Sequence, residues 1–118
     1  MDVVKQTCNP TDNGTFPSSG LADCSALAQD IATCQARGKI LTISIGGATG
    51  SVGFNGASQA VEFGTTIWNL FLGGSSSTRP FGKAVLDGVD LDVEGGTGEY
   101  YVDFVNRIRE LSSNANKK

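Results

Sequence analysis

Asp90, Asp92 and Glu94 stand at every second position of one short stretch, and the positions between them are aliphatic. Successive side chains of a strand point to opposite faces, so this spacing predicts a strand with one acidic face and one apolar face. We refer to the three acids as the acid row. Neighbouring carboxyl groups would stand about 6.8 Å apart at Cβ, close enough that ionising all three within a shared cleft is costly. One of them is therefore expected to keep its proton near neutral pH and to act as a general acid.

Other interpretations of the acid row start from its order, in which Gly95 follows Glu94. The order imitates the first half of a calcium-binding loop, but Tyr101 stands at the twelfth position, where that loop needs a bidentate glutamate. The stretch also fits an edge strand with a solvated acidic face, or a metal-dependent transferase that uses Asp90 and Asp92. Because the alternating aliphatic residues favour a strand, we expect no metal and no cofactor at this site.

Composition limits the classes of protein to which the chain can belong. Its 118 residues, net charge of -3 and 39% hydrophobic residues suit one small globular domain. The charge and the lack of a basic stripe argue against nucleic acid as a partner, and no apolar run reaches membrane-spanning length. The first residues lack the profile of a secretory signal, so we expect no export address in this chain. Nothing in the composition indicates an obligate protein partner.

The first 22 residues are rich in turn-forming types and predict an N-terminal loop. Asn13 is the acceptor of an Asn-Gly-Thr glycosylation sequence. Cys8, Cys24 and Cys34 make an odd count, so one thiol is unpaired or its partner lies outside this chain. Cys24 and Cys34 could not bridge along a continuous helix. Pairing of Cys8 with either of the others is geometrically easier, and buried reduced thiols are an equal alternative.

Residues 23–113 alternate between helical and strand patterns. The patterns predict a helix from Asp23 to Gly38, a strand over 39–45, a helix from Ser58 to Gly73, a strand over 84–94, a helix after Gly98 through Leu111, and a frayed tail over 114–118. Strands joined through a helix lie parallel with a right-handed crossover. The fold class expected is therefore α/β, as part of a barrel or a doubly wound sheet. Trp68, on the second helix, is expected to be a core anchor.

A glycine-rich turn over residues 45–53 follows the first predicted strand and indicates a competing function. It resembles the phosphate-binding turn of some reductases. Against this interpretation, residues 54–56 interrupt the helix that should hold the pyrophosphate, and no acidic strand end follows about 20 residues on to bind the ribose. A nucleotide-binding α/β domain is kept as an alternative.

Two motifs together resemble the signatures of glycoside hydrolase family 18. They are Ser44-Ile45-Gly46-Gly47 on the first strand and Asp-Gly-Val-Asp-Leu-Asp-Val-Glu over 87–94 on the second. The wider span from 8 to 111 is similar to fungal and plant-type class III chitinases. The resemblance implies a partial (β/α)8 TIM barrel, with these two strands as its third and fourth and their C-terminal ends at the active site.

The resemblance also implies a role for each acid. Glu94 would donate a proton to the glycosidic oxygen, Asp92 would orient the substrate's own acetamido group as the nucleophile, and Asp90 would share a proton with Asp92. An ordinary retaining enzyme needs two carboxyls flanking the scissile bond, whereas Asp92 and Glu94 emerge side by side from one strand. The implied substrates are chitin and N-acetylglucosamine oligosaccharides, cleaved at β-1,4 linkages, and the implied location is extracellular.

Supporting positions lie on both strands. Ser44, Gly46 and Gly47 are expected to stand beside the acid row from the adjacent strand, and Ser44 could hydrogen-bond Asp90. The Ser44 hydroxyl could equally be a satisfied core polar group. Asp87 has the opposite parity and is expected to be structural.

The length of the chain departs from the family pattern. A barrel of this kind takes about 250 residues, and only two of its eight strands are recognisable here. We expect a partial family 18 domain over 1–118 that carries the catalytic motif without a complete substrate cleft, which puts the activity of this chain in doubt. Relatives that have lost the acid are carbohydrate-binding or inhibitor proteins, so a non-catalytic chitin-binding protein is the alternative, although Glu94 is retained. Two parallel strands without neighbours also make a marginal sheet.

Overall fold

Among the residues that the structure describes, three α-helices and two strands alternate along the chain, in the predicted order. The structure is a computed structural model and describes residues 14–47 and 53–115. After a 3-10 turn at Ser25–Leu27, the elements are α1 (Ala28–Ala36), β1 (Thr42–Gly46), α2 (Ala57–Phe71), β2 (Gly88–Asp92) and α3 (Tyr101–Ser113). Cys8, the glycosylation acceptor Asn13 and residues 48–52 of the glycine-rich turn lie outside the described residues. Among the described residues, no helix is long and apolar enough to cross a membrane.

The two strands pair in parallel, with Ser44 opposite Asp90 and Gly46 opposite Asp92. This confirms the α/β class and the predicted parallel pair. The side chains of Ile43, Ile45, Val89 and Leu91 pack against the core. The alternate residues therefore face away from the helices, as the sequence alternation predicts.

Both strands are shorter than predicted, for local reasons. The Leu86 amide donates to the Phe71 carbonyl at 3.0 Å, so the chain before β2 is bonded to the end of α2 and cannot join the ladder. Ile40 is 81% exposed and precedes β1, so residues 39–41, which were predicted to start the strand, do not belong to it. Hydrophobic content alone could not show where the pairing starts.

Neither predicted cap immediately precedes its α-helix. Asp23 Oδ1 accepts bonds from the Ser25 amide (3.2 Å) and the Ser25 hydroxyl (2.7 Å), at the start of the 3-10 turn, whereas α1 begins only at Ala28. Gly56, not Ser58, precedes the first residue of α2. The predicted stop of α1 at Gly38 is confirmed by its left-handed φ of 80°.

Helices α2 and α3 pack against each other around four aromatic rings. Phe54, Phe63, Tyr101 and Phe104 have ring centroids 5.4 to 6.0 Å apart, and Phe104 is only 1% exposed. Gly64 lets the helix backbones approach, since a Cβ there would lie 3.1 Å from the Phe104 carbonyl oxygen. Other members of the core are Ile31, Ala60, Ile67, Leu72, Ala84 and Leu86, with Trp68 partly buried against it.

The segment between α2 and β2 is held by Arg79. Its five N–H groups donate to five backbone carbonyls, those of Asn69, Leu72, Gly74, Gly82 and Ala84, at 2.6 to 3.1 Å. Burial lowers the pKa of the Arg79 guanidinium. A planar, permanently charged fork is suited to binding the free carbonyls at a helix C-terminus. Arg79 thereby fixes the path by which the chain reaches β2.

The cysteines divide into two kinds. Cys24 is disulfide-bonded and fully buried, whereas Cys34 is a free, exposed cysteine. Cys34 is therefore not the buried thiol that the alternative without a disulfide expects. Pairing of Cys34 with either other cysteine is excluded by its free thiol.

Candidate active site

The polar side of the two-stranded sheet carries the predicted site. Ser44, Asp90 and Asp92 alternate with the core-facing residues and are exposed. Ser44 Oγ donates to Asp90 Oδ2 at 2.7 Å, which confirms the predicted hydrogen bond between the two strands. The Ser44 hydroxyl is therefore the hydrogen-bond partner of Asp90 on the exposed face of the sheet. The interpretation of Ser44 as a buried core polar group is wrong, because Ser44 is exposed.

Gly46 and Gly47 allow close contact between the ends of the two strands. Both have left-handed φ values, 105° and 93°. A Cβ on Gly46 would collide with the Asp92 carbonyl oxygen, and a Cβ on Gly47 would lie 3.6 Å from Asp92 Oδ2. The Gly47 amide donates to the Asp92 carbonyl at 2.8 Å. The glycine pair therefore binds the Asp92 backbone and leaves free space beside its carboxylate.

Glu94 lies just beyond the strand. β2 ends at Asp92, so Glu94 is the second residue of the exposed loop that runs from Val93 to Tyr100. Tyr100, the residue before α3, holds a left-handed φ of 67°. Glu94 is thus placed at the C-terminal edge of the sheet by the end of a strand, although it is not itself part of the ladder.

The shared cleft expected around the acid row is not formed by the described residues. Asp90, Asp92 and Glu94 are all exposed. The physical reason is that the helices cover only the apolar side of the two strands, and no other described strand stands opposite the polar side.

Asp87 is structural, as its parity predicts. Its Oδ2 accepts from the Leu41 amide at 2.9 Å and from Gln35 Nε2 at 3.1 Å. Its own amide donates to the Leu41 carbonyl at 2.8 Å. These bonds lie at the opposite end of the strands from Glu94, so Asp87 joins α1, β1 and β2 at their base.

Sequence reasoning missed the contacts of Gln35 and Arg79. Gln35, near the end of α1, donates to the Val85 carbonyl just before β2, and Arg79, in the segment that leads to β2, donates to the Leu72 carbonyl at the end of α2. Neither belongs to a periodic pattern. Both residues stand in the span that resembles class III chitinases, and Arg79 is the single charge in the polar loop over 75–80, but neither signal indicated their contacts. Nothing in the local sequence indicated that Gln35 reaches residues fifty positions away.

The metal interpretations receive no support from the geometry. Among the described residues, no group of three His, Cys, Asp or Glu side chains could hold a metal ion. Asp90 and Asp92 lie on a paired strand, and the twelfth position of the imitated calcium loop is the first residue of α3. Tyr101 has no carboxylate with which to supply the loop's bidentate last ligand.

The curated proteins to which this chain is similar in sequence include chitinases. The chain is 53% identical over 100 residues to "Chitinase 2" of Rhizopus oligosporus, which covers 84% of this chain and 18% of the relative. It is 40% identical over 106 residues to an acidic endochitinase of Phaseolus angularis, covering 90% of this chain and 33% of the relative. No family model matches the chain. The chain thus spans only about a fifth to a third of the length of these curated relatives.

Solved structures agree with the sequence relatives. The crystal structure of a chitinase from Ipomoea carnea matches with a TM-score of 0.80 and 32% identity, over 94% of this chain and 38% of that one. A xylanase and α-amylase inhibitor protein, solved with trehalose, matches with a TM-score of 0.70 and 31% identity, over 79% of this chain and 35% of that one. The two parallel strands and their helices therefore correspond to part of a TIM-barrel chitinase structure, and the chain is a partial-length homologue of the class III chitinases of glycoside hydrolase family 18.

Proposed function

We propose that the acid row performs chitinase-type hydrolysis of β-1,4-linked N-acetylglucosamine polymers, by a retaining mechanism in which the substrate supplies the nucleophile. Glu94 donates a proton to the glycosidic oxygen. Asp92 orients the substrate's acetamido group and stabilises the charge that develops on it. Asp90 shares a proton with Asp92, and the Ser44 hydroxyl holds Asp90 in place. The extracellular location of the protein is part of the same proposal.

The observation that carries the proposal is that the acid row emerges from a single strand end. Asp92 is the last residue of β2 and Glu94 follows it by two residues, so their Cα atoms are at most about 7 Å apart, and both residues are exposed where the sheet ends. Two carboxyls on one side of a sugar cannot flank the scissile bond as an ordinary retaining pair does. A nucleophile within the substrate removes that requirement, and it leaves proton donation and orientation as the only tasks of the protein.

The supporting contacts suit these tasks. Asp90 Oδ2 already accepts the Ser44 hydroxyl at 2.7 Å, which leaves Asp90 Oδ1 as the oxygen that would share a proton with Asp92. Gly47 leaves the space beside Asp92 Oδ2 open, which is where an acetamido group would have to approach. Replacing either glycine would fill that space or break the strand contact behind it.

Hydrolysis of a fluorogenic chitobioside by the purified chain tests the proposal. We expect release of the fluorophore by the wild-type chain and a loss of about 100-fold or more with Glu94→Gln, since a positioned general acid contributes about 10² to 10⁴ in rate. Glu99→Gln is the matched control, because Glu99 is an exposed carboxylate in the same loop. Equal loss with both variants, or none with Glu94→Gln, would contradict the assignment of Glu94.

A second candidate is a non-catalytic carbohydrate-binding protein, and one observation favours it. The acid row stands exposed, without a cleft formed by the described residues, and one structural neighbour is a xylanase and α-amylase inhibitor protein. Binding of chitin oligomers measured by calorimetry separates the two functions. Binding without turnover of the chitobioside would favour this second function, whereas turnover abolished by Glu94→Gln would favour hydrolysis.

A further inference from the structure

Gln35 connects α1 to the segment that leads into β2. Its side-chain Nε2 donates to the Val85 carbonyl at 2.8 Å and to Asp87 Oδ2 at 3.1 Å. The two acceptors are two residues apart, so one amide group holds both the position and the direction of the chain as it approaches β2. Gln35 is half-buried in the last turn of α1, where a lost partner is not readily replaced by water.

Asp87 connects the segment held by Gln35 to the start of β1. Its carboxylate accepts the Leu41 amide at 2.9 Å, and its amide donates to the Leu41 carbonyl at 2.8 Å. Leu41 and Asp87 immediately precede the first paired residues of the ladder, Thr42 and Gly88. The Leu41–Asp87 pair therefore continues the register of the strands by one step below the ladder.

The alternation of apolar and polar residues does not by itself select this register. A slip of one residue would turn the acids of β2 toward the core and is strongly disfavoured. A slip of two keeps every side chain on its own face but moves the acids by about 7 Å relative to β1. After such a slip Ser44 would face Gly88 or Asp92 in place of Asp90. A five-residue pair with one exposed face needs a further contact to exclude that arrangement.

We propose that Gln35 is a positioning residue for the acid row: by holding Val85 and Asp87 at the base of β2, it selects the strand register that places Asp90 beside Ser44. A two-residue slip would take Asp87 away from the Leu41 amide and from the Gln35 amide, leaving a half-buried carboxylate without either donor. The catalytic meaning of the inference rests on the proposed function, whereas the register itself does not.

Nuclear Overhauser contacts across the strands test the inference without relying on activity. Gln35→Met keeps side-chain length and helix propensity but removes the donor. We expect weaker Ser44–Asp90 contacts and new contacts of Ser44 with Gly88 or Asp92, with the ratio of native to shifted register falling about tenfold, as for loss of a hydrogen bond to a charged group. Gln29→Met, at an exposed position of the same helix, is expected to leave the wild-type contacts unchanged.

A cross-link between the strands keeps the test decisive if Gln35→Met unfolds the chain. A Cβ on Gly88 would lie 3.7 Å from Thr42 Cγ2, so the pair Thr42→Cys and Gly88→Cys, made in a Cys34→Ser background, can lock the native register. We expect the cross-link to restore the Ser44–Asp90 contacts in Gln35→Met. The proposal would be overturned if Gln35→Met without the cross-link showed the Ser44–Asp90 contacts and no shifted ones. It would also be overturned if cross-linked Gln35→Met did not regain the Ser44–Asp90 contacts.

Because these readouts report strand register, they remain informative if the chain does not hydrolyse chitobioside. Wild-type contacts in Gln35→Met together with turnover by the wild-type chain would remove the positioning role and leave the proposed function standing. Shifted contacts in Gln35→Met together with no turnover by the wild-type chain would support the positioning role and contradict the proposed function.

Discussion

Ser44 and Asp90 face each other across the two parallel strands, with the Ser44 hydroxyl donating to Asp90 Oδ2 at 2.7 Å. This is the only hydrogen bond between side chains of β1 and β2 among the described residues. It holds one member of the acid row from the neighbouring strand, on a face that is otherwise open. The hydroxyl can therefore affect chemistry more than folding.

We expect Ser44→Ala to lower turnover of the chitobioside by about tenfold, because Asp90 loses the donor that orients it. The free energy of unfolding should fall by less than about 1 kcal/mol, since the bond is solvent-exposed. Steady-state kinetics and urea denaturation measure the two effects. Thr42→Ala is the matched control, since Thr42 is exposed two residues earlier on the same strand. A larger change in stability than in turnover would mean that Ser44 is structural.

Gly46 is expected to tolerate no side chain. A Cβ there would collide with the Asp92 carbonyl oxygen, and φ is 105°. Gly46→Ala should therefore lower the free energy of unfolding by about 3 kcal/mol, through backbone strain and a clash that only strand separation relieves. Gly53→Ala, where nothing lies within 4 Å of the added Cβ, is the control. Equal unfolding midpoints in urea for Gly46→Ala and Gly53→Ala would show that stability does not depend on the close approach of Gly46 to Asp92.

Arg79 is expected to be irreplaceable by lysine. Its five donors reach five carbonyls, whereas an ammonium group has three donors and cannot form the planar fork. Arg79→Lys should destabilise the chain by about 2 kcal/mol, and more where a buried carbonyl is left without a donor. Arg109→Lys, at an exposed position of α3, should change the unfolding midpoint little. Similar midpoints for the two variants would contradict the role assigned to Arg79.

The faces of the strands could be predicted from sequence because alternation is local. Val89 and Leu91 pack toward the core while Asp90 and Asp92 do not, which the period of two requires. The order of elements and the stop at Gly38 follow from equally local signals. The catalytic roles of the acid row came instead from resemblance to a family.

The ends of the strands and the openness of the site could not be predicted in this way. β2 does not extend toward Ala84 because the Leu86 amide is bonded to the Phe71 carbonyl at the end of α2, and this contact depends on tertiary structure. The exposure of the acid row depends on what stands opposite the polar face, which the alternation of residues in one strand cannot reveal. Gln35 was missed because its partners lie 50 and 52 residues away.

The central claim is that the acid row of this chain can perform chitinase chemistry with Glu94 as its acid. The most direct test is a chimera in which this chain replaces the matching segment of the Rhizopus oligosporus chitinase, which supplies the remaining length. We expect the chimera to hydrolyse chitobioside, and its Glu94→Gln variant to be about 100-fold slower or worse while folding equally well. A folded chimera without turnover, or one that Glu94→Gln leaves equally active, would contradict the claim.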